Sequence, residues 1–521
     1  MRLKINNRFS KELTADVSEI NTSRQVLNAA FSYVNPRIPT NPKLLHYSDE
    51  VIELIGITSE ETQSEDFLNV FSGKTILPDS RPYAMNYAGH QFGNWAGQLG
   101  DGRAIILAEI EHNNQNFTLQ LKGSGNTPYS RRADGLAVLR SSIREHLCSE
   151  AMHHLGVPTT RSLSLIVTGD EVLRDVMYDG HPEYEKGAVV CRVAPSFIRF
   201  GNFELFSSQN DIENLKKLAD FTIKYYYPEV KKTGKEKYIE FFQNIADKTR
   251  KMIVHWQRVG FVHGVMNTDN MSILGLTIDF GPYGWLEDYD PSWTPNTTDR
   301  ENRRYRFGNQ PEIALWNLYQ LANALYPLVE EAPPLEKILN NFMKLYDTDY
   351  INMMRSKLGF TMELKEDLKI ISELEKVLQL SETDMTIFFR ELSAVKKSFS
   401  TGCAITLIND AFYNPKEINK NILKDWEKWF SKYIERLKLE EINDETRKLK
   451  MDSVNPKYVV RNYMAQIAID AANNDDYSII EELHNLLKNP YKDQPEHEKW
   501  YAKRPDWARV KIGCSMLSCS S

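Results

Sequence analysis

Apolar runs separated by polar turns mark the first half of the chain. Residues 104–110 are an apolar run, residues 112–116 have the composition of a turn, and residues 117–121 form a second strand-like run. Two short runs joined by a polar turn predict a β-hairpin. Residues 163–168 and 188–193 repeat the strand pattern, so we expect this half to be rich in β-structure.

A helical period appears between these strands. From Leu139 onward the apolar positions recur every four residues, and Gly156 and Pro158 supply a stop signal. The pattern therefore predicts a helix that begins near Leu139. The residues that continue this apolar face are Ile143, Leu147, Ala151 and Leu155.

The second half of the chain has a different character. Beyond about residue 210 it becomes helical and charged, with one strand-and-loop interruption around residues 261–310. Residues 316–326 and 422–439 are predicted to be helices. A β-rich half followed by a helical half indicates a two-lobed α+β protein that holds its ligand in the cleft.

The amino-acid composition argues against several classes of protein. The 521 residues are 41% hydrophobic and 26% charged, with a net charge of −7, which argues against a nucleic-acid partner because phosphate contacts need a basic face. No apolar run approaches the roughly 18 residues that span a bilayer, and the first residues lack an apolar signal core. We therefore expect a cytoplasmic protein with no membrane partner. Five cysteines are too few for a disulfide scaffold.

A glycine-rich run extends over residues 87–103. Closely spaced glycines let backbone N–H groups approach phosphate oxygens, although glycines also fill tight turns. The run precedes the predicted hairpin, whereas a dinucleotide-binding motif needs a strand, glycines and then a helix. A loop that covers phosphates ahead of antiparallel strands is the kinase arrangement. Arg103, directly after Gly102, can add positive charge there.

Lys122 ends the second predicted strand, and Glu145 lies on the helix that follows. A protein kinase needs a strand lysine on the phosphates, held by a glutamate of the next helix. The alternative for a single lysine is an ordinary surface position. Asp134 and Gly135, at the entrance to the helix, are equally compatible with a plain N-cap.

Two arginines lie at the end of the last predicted strand. Arg192 follows four apolar residues, and Arg199 follows seven positions later. Two guanidinium groups can clamp a phosphate and neutralise charge that develops on it. Ordinary surface charge is the alternative interpretation.

The segment around residues 263–281 contains the kinase triplet Asp279-Phe280-Gly281. A kinase would place its catalytic aspartate five residues before the metal-binding Asn270, and that position is Val265, which cannot accept a proton. Asp269 is the nearest carboxylate. Residues 271–278 look like strands of a hairpin that would bring Asn270 and Asp279 together. Carboxylate and amide oxygens are the ligands that Mg²⁺ prefers, while a structural Asp-Asn turn is the alternative for residues 269–270.

Together these residues resemble the selenoprotein O family, protein adenylyltransferases with a kinase-like fold. The similarity extends over residues 87–102, 119–156, 192–206 and 263–285, and so covers the expected catalytic core. The resemblance implies an α+β, bilobal protein-kinase-like fold with a β-rich N-lobe, a helical C-lobe and extra elements at both ends.

The implied organisation has four parts. Residues 1–80 form an N-terminal extension packed on the lobes, and residues 81–205 form the N-lobe. Residues 206–400 form the C-lobe with the catalytic and metal-binding loop. Residues 401–521 form a helical C-terminal region ending in a cysteine-containing tail.

The family transfers AMP from ATP to protein Ser, Thr or Tyr hydroxyls, because ATP binds in the reverse of the kinase orientation. The resemblance implies that Gly100, Gly102 and Arg103 belong to the loop that covers the nucleotide. It also implies that Asp134 and Gly135 lie on the nucleotide.

The remaining roles concern the phosphates. The resemblance implies that Lys122 contacts phosphate and pairs with Glu145, and that Arg192 and Arg199 bind the part of ATP that a kinase leaves outside. It implies further that Asn270 and Asp279 hold Mg²⁺ or Mn²⁺, that Asp279 also contacts ATP, and that Asp269 is the catalytic base.

One departure from the family concerns redox control. In other members a cysteine in the loop after Asp-Phe-Gly can pair with a C-terminal cysteine or selenocysteine. Residues 288–298 contain no cysteine, so Cys519 lacks that partner and Cys514 is the nearest candidate in sequence. We expect that disulfide control of this kind is absent or rewired.

Two other functions stay open at this point. One is a phosphotransferase that binds ATP in the kinase orientation, and the other is a nucleotide-binding pseudokinase that acts as a scaffold. The sequence does not identify the protein substrates, and it leaves the oligomeric state open, with a monomer compatible.

Overall fold

The computed structural model describes residues 1–514 and 516–518. It is a mixed α/β structure in which a β-sheet region comes first and a helical region follows. The prediction made for Cys519 lies outside the described residues. No helix in the described part of the chain combines the length and the apolar character needed to cross a bilayer.

The strands lie mostly before residue 195. In chain order they are β1 (Phe31–Tyr33), β2 (Lys43–Tyr47), β3 (Tyr83–Met85), β4 (Ala88–Gln91), β5 (Asn94–Gln98), β6 (Ala104–His112), β7 (Gln115–Lys122), β8 (Ala137–Val138), β9 (Arg161–Arg174), β10 (Glu183–Ala194), β11 (Phe261–Val262) and β12 (Gly284–Trp285).

The helices before residue 330 are α1 (Arg8–Glu12), α2 (Asp49–Leu54), α3 (Glu65–Phe71), α4 (Leu139–His154), α5 (Phe200–Ser208), α6 (Ile212–Tyr226), α7 (Gly234–Val259) and α8 (Gln310–Val329). Those after it are α9 (Ala332–Leu358), α10 (Asp367–Leu378), α11 (Met385–Leu392), α12 (Thr401–Leu407), α13 (Lys420–Lys438), α14 (Asp444–Asp452), α15 (Asn462–Asn473) and α16 (Ser478–Leu487).

An antiparallel sheet organises the first half. Its strand order is β1-β3-β6-β7-β10-β9-β2, and β8 pairs with β10 beside this path. The predicted hairpin is β6–β7, the later predicted strands are β9 and β10, and the helix predicted from Leu139 is α4, so these predictions are confirmed. The first part of the chain contributes both edge strands, β1 and β2.

Alternation of side chains gives the sheet two different faces. On one face Leu119, Leu121, Val189 and Cys191 pack against α2 and α3. On the other face Ala188 and Val190 pack against the apolar side of α4 and join the large core that continues into the helical region. Polar residues on this second face are therefore directed toward the cleft beside the helical region.

The prediction of a strand hairpin over residues 271–278 is wrong. Met271, Ile273 and Ile278 are buried, which produces the strand-like pattern, but the segment is a series of turns with Gly275 at a φ of 67°. Its backbone forms isolated bridges to distant residues, Ser272 with Arg199 and Thr277 with Thr159. Long-range partners therefore hold this segment in place.

Candidate active site

The register of β7 and β10 aligns three polar side chains on the cleft face of the sheet. Arg192 lies opposite Gln120, and Val190 lies opposite Lys122. Since Leu119 and Leu121 occupy the other face, Gln120 and Lys122 must point toward the cleft. Arg192 donates a hydrogen bond to the Gln120 side-chain oxygen.

Lys122 and Arg192 share one carboxylate. The Lys122 ammonium group forms an ion pair with Glu145 of α4, and an Arg192 guanidinium nitrogen lies 3.1 Å from the other Glu145 oxygen. Lys122, Glu145 and Arg192 are all buried, which excludes the surface interpretation of both cations. Burial lowers the pKa of Lys122, and the Glu145 carboxylate opposes that shift.

Arg192 and Arg199 converge on Asp279. Each arginine forms an ion pair with one oxygen of the Asp279 carboxylate. Burial alone would raise the pKa of Asp279, but the Arg199 and Arg192 guanidinium groups hold it well below its usual range. Asp279 also has a φ of 56°, a left-handed conformation that is uncommon for residues other than glycine and often occurs at functional sites.

The loop that carries Asp269 is a single helical turn, Thr268–Asn270. The Asn270 side-chain nitrogen donates a hydrogen bond of 2.9 Å to the Val265 carbonyl, so Val265 contributes its backbone where a kinase has an aspartate. This bond orients the Asn270 amide, and its oxygen is the group left to bind a cation. Asn270 and Asp279 line the same cavity, and two such hard oxygen donors fit Mg²⁺.

Asp269 has one anchored carboxylate oxygen and one free one. Gln91 donates a hydrogen bond of 3.1 Å to Asp269 Oδ2, whereas Oδ1 is buried without a hydrogen-bond partner among the described residues. Burial raises the pKa of Asp269 to about 7. A carboxylate with this pKa and a free oxygen is suited to accept a proton near neutral pH.

The glycine-rich run forms its own hairpin, β4–β5, which packs on the Asp269 loop. The His90 backbone nitrogen donates to the Thr268 hydroxyl at 2.7 Å, and the Phe92 nitrogen donates to the Asn267 side-chain oxygen at 3.1 Å. A Cβ on Gly89 would lie only 2.8 Å from the Thr268 hydroxyl. This glycine therefore permits the close contact between the hairpin and the loop.

Gly100 and Gly102 lie in the turn between β5 and β6 and line the cavity together with Arg103. Their lack of a side chain is required by Tyr129, because a Cβ at Gly100 would lie 2.3 Å from the Tyr129 ring and one at Gly102 would lie 2.9 Å from the Tyr129 carbonyl. Close packing against Tyr129 is thus sufficient to explain why both positions are glycine.

Asp134 and Gly135 line the same cavity. The Asp134 carboxylate forms two hydrogen bonds of 2.8 Å with the Arg174 guanidinium group. Leu136 donates its backbone N–H to Asp134 at 3.0 Å, but α4 begins only at Leu139, so Asp134 is not the N-cap of that helix.

All the predicted site residues except Glu145 line one cavity of about 850 Å³. Its charged lining consists of seven basic residues and four acidic ones: Arg103, Lys122, Arg131, Arg132, Arg174, Arg192 and Arg199, against Asp101, Asp134, Asp269 and Asp279. This local positive excess contrasts with the net charge of −7 for the chain. The cavity is therefore suited to a polyphosphate anion.

Two polar residues of the site carry no motif that identifies them in the sequence. Gln91 holds Asp269 by its hydrogen bond to Oδ2. Asp101 is buried, and its carboxylate accepts hydrogen bonds from the Met85 nitrogen at 3.2 Å and from Gln120 at 3.1 Å. Asp101 also lies 3.6 Å from Arg199. Its position between Gly100 and Gly102 is the one signal that could have drawn attention to it.

Comparisons with known proteins identify the family of the chain. The family model "Protein adenylyltransferase SelO" matches residues 18–488. The chain is 65% identical to "Protein nucleotidyltransferase YdiU" of Flavobacterium johnsoniae, over all of this chain and 99% of the relative. It is 51% identical to the proteins of the same name from Rhodopirellula baltica and Aromatoleum aromaticum, with equal coverage. The chain belongs to the SelO family of protein adenylyltransferases.

Proposed function

We propose that the protein transfers AMP from ATP to Ser, Thr or Tyr hydroxyls of other proteins and releases diphosphate. The observation that carries this proposal is the free carboxylate oxygen of Asp269 in the cavity that Arg192, Arg199 and Asp279 also line. In this proposal the sheet region is the N-lobe and the helical region is the C-lobe of a kinase-like fold, with the nucleotide in the cavity between them.

The cations of the cavity bind the phosphates. Arg192 and Arg199 are preorganised by their bonds to Asp279, and Lys122 by its bond to Glu145. These side chains offset the negative charge that accumulates on the departing diphosphate, which is the main electrostatic contribution in such transfers. Asn270 and Asp279 would hold Mg²⁺ or Mn²⁺, and a bound metal supplies further charge neutralisation at the phosphates.

The nucleotide itself is bound by the walls of the cavity. Gly100, Gly102 and Arg103 cover it, and Asp134 and Gly135 contact it. The α-phosphate then lies nearest Asp269, which is the arrangement that AMP transfer requires.

Asp269 activates the acceptor. Its Oδ1 takes the proton of the acceptor hydroxyl while that oxygen attacks the α-phosphorus. The bond from the α-phosphorus to the bridging oxygen breaks, and the electron pair leaves with diphosphate. A base in this position contributes roughly 10² to 10⁴-fold to the rate.

Product analysis tests the proposal. The purified protein is incubated with ATP, Mg²⁺ and a bacterial protein extract, and the modified peptides are identified by mass spectrometry while diphosphate is measured by a coupled assay. Adenylylated hydroxyls and stoichiometric diphosphate support the proposal. Phosphorylated hydroxyls with ADP as the product would identify a kinase, and binding of ATP with no product would identify a scaffold.

A further inference from the structure

Three buried histidines, all distant in the sequence from the active-site loop, lie close together in the structure. His46 lies on β2, His146 on α4 and His484 on α16, and their exposed fractions are 7%, 0% and 3%. One ring nitrogen of each histidine lies within 4.8 Å of those of the other two. Polar groups buried this deeply need hydrogen-bond partners. Apolar side chains would fill the same space without that requirement.

The hydrogen bonds of two rings fix their orientation. His46 Nε2 lies 3.0 Å from the Glu481 carboxylate, and His146 Nδ1 lies 2.7 Å from the Ser162 hydroxyl. The remaining nitrogens, His46 Nδ1 and His146 Nε2, face each other at 2.8 Å. Metal-bound histidines are held in this way, since the nitrogen that does not bind the metal donates to an oxygen, often of a carboxylate.

His484 supplies the third nitrogen. Its Nε2 is buried and has no hydrogen-bond partner among the described residues. Its ring packs against that of His46, with ring centroids 4.5 Å apart. A buried imidazole nitrogen without a hydrogen-bond partner is unfavourable, so its presence points to a ligand that the protein residues do not provide.

We propose that His46 Nδ1, His146 Nε2 and His484 Nε2 bind a divalent zinc ion. Three neutral imidazoles with no thiolate suit Zn²⁺, and a water molecule can complete a tetrahedral set. Zinc–nitrogen bonds of about 2.0–2.1 Å in a tetrahedral site place the ligand nitrogens roughly 3.3 Å apart. His46 Nδ1 and His146 Nε2 therefore move apart by about 0.5 Å when the metal replaces the proton that they share. That proton moves to His146 Nδ1, and the Ser162 hydroxyl rotates to accept it.

The site has a structural consequence for the cleft. His146 follows Glu145, the residue that pairs with Lys122. A metal bound to all three histidines ties β2 and α16 to the helix that positions this glutamate. Glu481 and His484 lie three residues apart and thus on the same face of α16, so the helix supplies both a ligand and the carboxylate that orients His46.

A closed hydrogen-bond chain is the alternative. Glu481, His46, His146 and Ser162 can form such a chain without any metal. It accounts for two of the rings but leaves His484 Nε2 unpaired.

Metal binding to the full-length protein tests the proposal. Chelator-treated protein is dialysed against ZnCl₂, bound zinc is measured by elemental analysis, and Co²⁺ is titrated while visible absorption is recorded. We expect a single zinc equivalent and the intense visible bands of tetrahedral Co²⁺. Absence of stoichiometric zinc, or a six-coordinate Co²⁺ spectrum, would overturn the proposal.

Matched variants locate the site. His484→Gln should abolish zinc binding, and Glu481→Gln should weaken it about 10- to 100-fold. The exposed His181→Gln is the control for loss of a histidine, and Asp279→Ala removes the proposed catalytic cation site, so both should keep the zinc equivalent. His484→Gln leaves no hydrogen-bonded partner behind. A circular dichroism melt confirms that this variant and Asp279→Ala are both folded at the temperature of the zinc measurement. Zinc binding that survives His484→Gln, or that is lost in Asp279→Ala, would contradict the assignment.

Discussion

Gln91 donates a hydrogen bond of 3.1 Å to Asp269, and this bond joins the glycine-rich hairpin to the loop that carries the proposed base. The hairpin thus holds one oxygen of this carboxylate in place. Because the bond favours the ionised carboxylate, it lowers the pKa of Asp269 against the larger effect of burial.

Replacement of Gln91 should therefore change the pH dependence of the reaction. In Gln91→Ala the pKa of Asp269 rises, so the acid limb of the kcat profile moves to higher pH and kcat at pH 7 falls about tenfold. Asn94→Ala, an exposed change in the same hairpin, is the control. Identical pH profiles for Gln91→Ala and wild type would contradict the role given to Gln91.

Asp269→Asn should remove activity and increase stability. The base is lost, so kcat falls roughly 10² to 10⁴-fold. The pKa of Asp269 is about 7 in the folded protein against a usual 3.8, so the wild type loses stability as the pH rises from about 4 to about 7. The Asn variant does not lose stability over this range. Above pH 7 its free energy of unfolding should exceed that of the wild type by as much as about 4 kcal/mol.

Thermal melts of Asp269→Asn and wild type between pH 5 and pH 8 measure this difference. Asp66→Asn, at an exposed position of α3, serves as the control. A difference in melting temperature that shrinks as the pH rises would show that the sign of the pKa shift is wrong.

Asp279→Ala should abolish AMP transfer and also destabilise the protein. The change leaves Arg192 and Arg199 without their shared carboxylate, and an uncompensated buried charge costs about 3–5 kcal/mol. Because the folded-state pKa of Asp279 lies below its usual value, its contribution to stability is present above about pH 4 and is lost as the pH falls further. Urea unfolding at pH 7 and pH 3 checks this, and equal stability of variant and wild type at pH 7 would refute it.

Redox state should have little effect on activity. The loop over residues 288–298 has no cysteine, and Cys514 is buried, with its pKa raised by burial to about 11. A thiol with that pKa is a poor nucleophile for disulfide formation. Transfer rates with and without reductant should agree within about twofold, with the exposed Cys403→Ser as control. A large dependence on reductant would mean that another disulfide controls the enzyme.

The sequence predicts those parts of the fold whose hydrogen bonds are local. The helix α4 pairs residues one turn apart, and the β6–β7 pairing extends from one turn, from His112 with Gln115 out to Ala104 with Lys122, so period and turn chemistry identify both. The sequence pattern wrongly predicts strands over residues 271–278, because burial of Met271 and Ile273 imitates a strand. The backbone partners of this segment, Arg199 and Thr159, are far away in the sequence.

For a similar reason, the sequence predicts only some of the residues of the site. Lys122, Arg192 and Asp279 belong to recognisable patterns. Gln91 and Asp101 do not, because their importance depends on contacts with residues far away in the sequence, which spacing alone does not specify. The three histidines of the proposed zinc site come from β2, α4 and α16, and only the folded chain brings them together.

The most direct test of AMP transfer compares two labels in ATP. Purified protein is incubated with a protein extract and ATP labelled at either the α- or the γ-phosphate, with Asp269→Asn as the inactive control. Incorporation of the α label alone, lost in the variant, is the predicted result. Incorporation of the γ label would contradict the proposed orientation of ATP and identify the enzyme as a kinase.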